Sequence, residues 1–230
     1  LEDVQYCNSG SGTGVPLQFS PIEIWGGIDV AYTRVLREAY PIRPVWINEI
    51  HYANTGPDVY EGVEIAGRAG TALTDYSLVF YSSGNEGVTY ALSGQLASDP
   101  QACDSNYGAY WFGFEPETNQ VPNKPLDGWV LLYKPLTQLV NYVTWGGSCK
   151  ASNGVAAGAV SEYIGDELAE TPVGYSLQLI GMGTNYQAFT WTGPAQQSRG
   201  NINAGQFVST STNGTGLPDC WWYTYFSNQS

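Results

Sequence analysis

Between Val45 and Gly67 the chain reads VWINEIHYANTGPDVYEGVEIAG. Two short runs, Val45–Tyr52 and Tyr60–Ile65, are rich in β-branched, aromatic and apolar residues. The turn formers Ala53-Asn54-Thr55-Gly56-Pro57-Asp58 stand between them, with no helical period. That pattern predicts two strands joined by a loop. The same pattern recurs along the chain. Further strands are expected at Tyr76–Tyr81, Val88–Leu92, Ala109–Phe114, Trp129–Tyr133, Leu139–Trp145, Ser176–Ile180 and Ala188–Trp191. Tyr76–Tyr81 and Trp129–Tyr133 are almost continuously apolar, which suits central strands, whereas Val88–Leu92 alternates, which suits a half-exposed one. Asp29–Tyr40 reads as a helix, with Ala31, Val35 and Ala39 in line, or as a strand, with Ile28, Val30 and Tyr32 on one face, and the β surroundings tip the balance slightly to the strand.

Several words of the sequence carry a resemblance: INEIHYANTG, YEGVEIAG, AGTALTDYSLVFYSSGNEGVTYAL, PLDGWVLLY, TPVGYSLQLIGMGTNYQAFTW and SRGNINAGQ. In this order they resemble a lamin-tail domain of the microbial secreted and surface-protein type, over about Val45 to Phe207. The resemblance implies an all-β, immunoglobulin-like sandwich that serves as an accessory or structural module and implies no activity, since fold is not function. On this division, residues 1–44 form an N-terminal arm, 45–207 the sandwich, and 208–230 a Ser/Thr linker with an aromatic C-terminal strand.

Composition narrows the partners. Eight Lys+Arg against 21 Asp+Glu leave a net charge of −13. A surface so acidic repels a phosphate backbone, which argues against nucleic acid as a partner. No run of about 18 apolar residues is present, so no helix is expected to span a membrane. A start at Leu1 rather than Met fits a mature exported chain. Cys7, Cys103, Cys149 and Cys220 lack CxxC or zinc-finger spacing. In an exported β protein they read as two disulfides rather than buried thiols. Of the three connectivities, Cys103–Cys149 within the sandwich and Cys7–Cys220 tying the extensions are expected. Extracellular or cell-surface location follows.

No catalytic motif emerges. His51, the chain's one histidine, lies within a strand motif, and no nucleophile elbow, Walker loop or HExxH is present. Glu49 and Glu64 are two acids of the kind a carboxylate-only mechanism uses, with nothing in the sequence to single them out. Asp58, Glu61 and Glu64 offer hard oxygen ligands for Ca²⁺, without EF-hand spacing; no other cofactor is expected. Asn213 and Asn228 head N-glycosylation sequons, so covalent glycans are expected partners.

The extensions point to assembly. Leu17, Phe19, Ile22 and Ile24 form an extended segment. Trp221, Trp222, Tyr223, Tyr225 and Phe226 make an aromatic run unsuited to water. Either segment is suited to adding a strand to its own sheet or to a neighbour's. The sequence therefore reads as a non-enzymatic extracellular structural protein, a homo-oligomer or homopolymer subunit of a filament or surface layer. The alternative is a monomeric accessory module that carries a secreted enzyme to carbohydrate or calcium-rich surfaces.

Overall fold

The computed structural model describes residues 45–100, 102, 104, 106–114 and 123–209. The strands are β1 (Val45–His51), β2 (Gly62–Arg68), β3 (Tyr76–Ser82), β4 (Asn85–Ala91), β5 (Tyr107–Gly113), β6 (Asp127–Tyr133), β7 (Gln138–Thr144), β8 (Glu162–Tyr163), β9 (Tyr175–Gly183), β10 (Phe189–Gln196) and β11 (Gln206–Val208). They form two sheets, ordered β10-β9-β1-β2-β5, with β11 also pairing β9, and β4-β3-β6-β7-β8. Pairing is antiparallel except for β9–β11 and β7–β8. The fold is the all-β sandwich of immunoglobulin-like type that the sequence predicts. Helical structure among the described residues is limited to single 3₁₀ turns.

Aromatic side chains join the sheets. Tyr52, just past β1, stacks on Trp145, just past β7, with ring centroids 4.2 Å apart. Trp129 of β6 stacks on Phe114, just past β5, at 5.0 Å, and meets the edge of Phe80 of β3. The Ile47 N–H donates to Asn141 Oδ1 across the gap at 3.0 Å. The outer faces are covered as well. Ala151 and Ala156 pack over Val79, Tyr81, Val130, Leu132 and Tyr142. On the other sheet Trp46, Ala66, Leu179, Phe189 and Val208 form a cluster that also takes in Ile202. Burial on both faces explains why β1 and β6 are buried at every position and why their sequences hardly alternate.

Local chemistry sets the turns. Between β3 and β4 only Ser83 and Gly84 intervene, both with positive φ. This is a type I′ hairpin, whose twist matches that of the strands. Tyr60 departs from the expected strand: its φ is +65°, so β2 begins two residues later, at Gly62. Val88–Leu92 is expected to be half-exposed, yet β4 is exposed along nearly its whole length, because it is the edge of its sheet. In β6, a Cβ on Gly128 would collide with the Val143 carbonyl oxygen and with Thr144 of β7. Gly128→Ala should therefore cost about 1–3 kcal/mol through overpacking, read as a lower urea midpoint. An unchanged midpoint would mean that β6 and β7 can separate there.

Candidate functional site

The most concentrated polar chemistry lies where β1 and β2 meet. Register places Glu49 directly opposite Glu64, and both side chains are fully buried. Like charges in cross-strand positions repel, so such a pair requires donors. Ser176 Oγ donates to Glu49 Oε1 at 2.7 Å and Ser198 Oγ to Oε2 at 2.8 Å, with the Ser198 N–H at 3.3 Å from both oxygens. Glu64 Oε1 accepts from Asn48 Nδ2 at 3.0 Å, and Oε2 from the Gly200 N–H at 2.6 Å. Burial, and then the charges of Glu49 and Asp99, push the Glu64 carboxyl well above the usual carboxylate range. Burial also raises Glu49, against the downward pull of Ser176, Ser198 and the Arg199 charge. The pair consequently retains protons to higher pH than free glutamates do.

These carboxylates hold a loop on the sheet. Residues 198–206, reading SRGNINAGQ, cross over β1 and β9. Asn203 Nδ2 donates to the carbonyls of Asn48 and Leu179, both at 3.0 Å, while its Oδ1 lies 2.7 Å from Ser198 Oγ and shares that single hydroxyl proton with Glu49 Oε2. Asn48 Oδ1 accepts from Gln206 Nε2 at 2.7 Å and from the Trp46 indole at 2.9 Å. The Arg199 guanidinium lies 4.7 Å from the Trp111 ring centroid and 5.1 Å from that of Tyr60, which are cation–π distances. The Trp111 ring in turn packs close against Gly62, where any Cβ would strike it.

A second network surrounds His51. Its Nδ1 is 2.9 Å from Glu167 Oε1, and both side chains are fully buried. Asn54 Nδ2 donates to the Thr55 and Pro57 carbonyls, which turns its Oδ1 toward His51 Nε2 at 3.1 Å. The Val59 carbonyl also lies 3.1 Å from Nε2. With two acceptors facing Nε2 and a carboxylate facing Nδ1, the ring is arranged to carry both protons. Burial lowers the His51 pKa, but the hydrogen bond and charge of Glu167, with Asn54 and Val59, leave it raised on balance. Glu167 Oε2 accepts from the Tyr52 and Ala53 N–H groups at 2.6 and 2.8 Å. The Glu167 N–H closes the circuit by donating to Tyr52 Oη at 2.6 Å.

The residues expected to bind Ca²⁺ have separate partners. Asp58 Oδ1 accepts from the Asn54 N–H and Oδ2 from Asn123 Nδ2. Glu61 is buried, with its carbonyl accepting from the Phe114 N–H, and Glu64 belongs to the β1–β2 pair. Among the described residues no group of three His, Cys, Asp or Glu side chains is arranged to hold a metal. Glu49 and Glu64 do come together, but buried beneath the 198–206 loop. Cys149 is fully buried and is not a free thiol. Cys7, Cys103 and Cys220 lie outside the described residues, and with them the expected pairing. So do Asn213, Asn228, both assembly segments and the Asp29–Tyr40 segment. Among the described residues no helix is long and apolar enough to cross a membrane.

Sequence reasoning missed Arg199, Glu167 and Trp111. Ser198, Arg199 and Gly200 stand inside a motif that the sequence singles out, but Glu167 lies in a stretch without pattern. No family model, no curated protein and no solved structure matches the chain.

Proposed function

We propose that the chain is a lamin-tail-like, non-enzymatic extracellular structural protein, a subunit of a self-assembling filament or surface layer joined by β-strand complementation. The observation that carries this reading is the state of the sheet edges. Among the described residues β4 pairs only with β3, and β5 only with β2. The two edges lie on one side of the sandwich, where Tyr90 of β4 meets Phe114 at 5.1 Å. Unpaired edges of this kind are templates for an added strand. The donor is the segment of Leu17, Phe19, Ile22 and Ile24, or that of Trp221, Trp222, Tyr223, Tyr225 and Phe226. Contacts of this kind do not close on themselves and so build filaments. The engaged Cys149 agrees with an oxidising compartment, and glycans at Asn213 and Asn228 would suit an exposed polymer.

Negative-stain microscopy with sizing, on the intact chain and on one starting at Val45, tests the reading. Filaments from the intact chain that vanish on truncation are the expected result. Monodisperse monomers in both samples would discard it. The second reading, a monomeric accessory module for carbohydrate or calcium-rich surfaces, is favoured by the exposed ring of Tyr60, which lies with Trp111 around Arg199. Such a module would stay monodisperse and shift on addition of glycan or Ca²⁺.

A further inference from the structure

We infer that the β5 edge is a self-complementary surface that pairs antiparallel with β5 of a second copy of this chain. The inference goes beyond arm exchange, which it neither requires nor excludes.

The four sheet ends differ in what they offer a partner. At β10 the ladder shifts register between Thr192 and Ala195, and Pro194 removes a donor there. β8 is two residues long. β4 carries Glu86, whose N–H already donates to Asn153 Oδ1 at 2.7 Å. β5, with the sequence YGAYWFG, pairs with β2 at all seven positions without a register shift. It contains no charge, proline or bulge, the devices by which edges are usually protected.

The hydrogen-bonding phase of β5 follows from its neighbours. The Phe114 N–H donates to the Glu61 carbonyl, toward β2. By alternation the N–H and C=O groups of Gly113, Trp111, Ala109 and Tyr107 point away from β2. The Tyr107 carbonyl agrees, since it accepts from the Asp99 N–H. Among the described residues the open stretch is therefore Ala109 to Gly113.

A dyad at Trp111 makes this stretch complementary to itself. Trp111 pairs with Trp111 and Ala109 with Gly113, giving roughly six new ladder hydrogen bonds. On the opposite face Tyr110 of each copy stands across from Phe112 of the other, aromatic against aromatic and small against small. Tyr110 is 42% exposed and lies 4.6 Å from Phe112 of its own strand, so its ring is available to a partner. Charge favours this place over others. With a net charge of −13, two copies repel over most approaches, but along β5 no charged side chain faces its counterpart. The contact is isologous and closes as a dimer; arm exchange at β4 would then link such dimers.

Sedimentation equilibrium of the intact chain tests this, with amide hydrogen exchange followed against concentration. A concentration-dependent dimer is expected, with protection rising at the Ala109, Trp111 and Gly113 amides. Tyr110→Lys removes both Tyr–Phe pairs and sets two ammonium groups near the dyad, which should weaken the dimer by about tenfold or more. A monomer at every concentration overturns the inference, as does an equally tight Y110K dimer. So does a dimer that leaves those three amides unprotected. Filaments that form from intact chains with no protection at the β5 amides would discard the β5 contact while leaving arm exchange standing. Filaments that survive arm removal, with the β5 dimer intact, would discard arm exchange while leaving the β5 contact standing.

Discussion

Replacing Glu167 by alanine should lower the stability of the sandwich by about 3–5 kcal/mol, the range seen when one partner of a buried ion pair is removed. Three groups lose their acceptor at once: His51 Nδ1 and the N–H groups of Tyr52 and Ala53. None of them can turn to water, because His51 and Tyr52 are buried and the backbone there is fixed by β1. Glu167→Gln should be far milder. Its amide oxygen can serve the two N–H groups, and its NH₂ can face an unprotonated Nδ1, leaving His51 neutral with the proton on Nε2. Urea melts of both variants, with the histidine tautomer read by NMR, check the prediction. Equal losses for the two variants would show that shape rather than acceptor chemistry matters there.

The second large effect is on pH dependence, and its sign is opposite to ordinary acid denaturation. Glu64 and Glu49 have folded-state pKa values raised above 4.5, and His51 one raised above 6.5. A group with a raised folded pKa binds its proton more tightly in the folded state. The stability it contributes is complete below the unfolded pKa and is lost as pH rises through the folded value. For the two glutamates the loss occurs above pH 4.5, and for His51 above pH 6.5. Each proton held by the folded chain but not the unfolded one contributes about 1.4 kcal/mol per pH unit. Tm should therefore rise as pH falls from 8 to 5. Glu64→Gln removes the charge and keeps an acceptor for the Gly200 N–H, but sets its NH₂ against the Asn48 amide donor, so it should lower Tm and flatten the profile. A wild-type Tm that is level or falls over that range would refute the assignment of protons to this pair.

The strand skeleton was readable because side-chain period and turn residues are local properties. Tyr76–Tyr81 and Trp129–Tyr133 read as central strands, and they are β3 and β6 in the middle of their sheet. β8 and β11 are too short to show a period and exist because longer neighbours, β7 and β9, offer them an edge. The site was less legible for a definite reason. Strict alternation from Trp46 would put Asn48, not Glu49, on the face of Glu64 and Ala66. The register shift between Ile47 and Glu49 moves Glu49 into that place, and a bulge of this kind leaves no mark in the hydrophobic pattern. Glu167 is 116 residues from His51, so their contact is a product of topology. His51, by contrast, read as framework and lies fully buried in β1.

The way the 198–206 loop is gripped determines which positions can accept substitution. Glu64 holds Gly200 through its main-chain N–H, and Glu49 takes the Ser198 main chain as well as its hydroxyl. Asn203 reaches two main-chain carbonyls rather than two side chains. A ligand set that addresses main-chain atoms is indifferent to much of what the gripped residues carry, so an exposed position such as Ala204 can vary without loosening the loop. The gripping residues have no such latitude, because each works through its own carboxylate or amide. Sequence drift in this domain should therefore be confined to the loop, and Glu49, Glu64 and Asn203 should be the last to yield in a saturation library scored for folding.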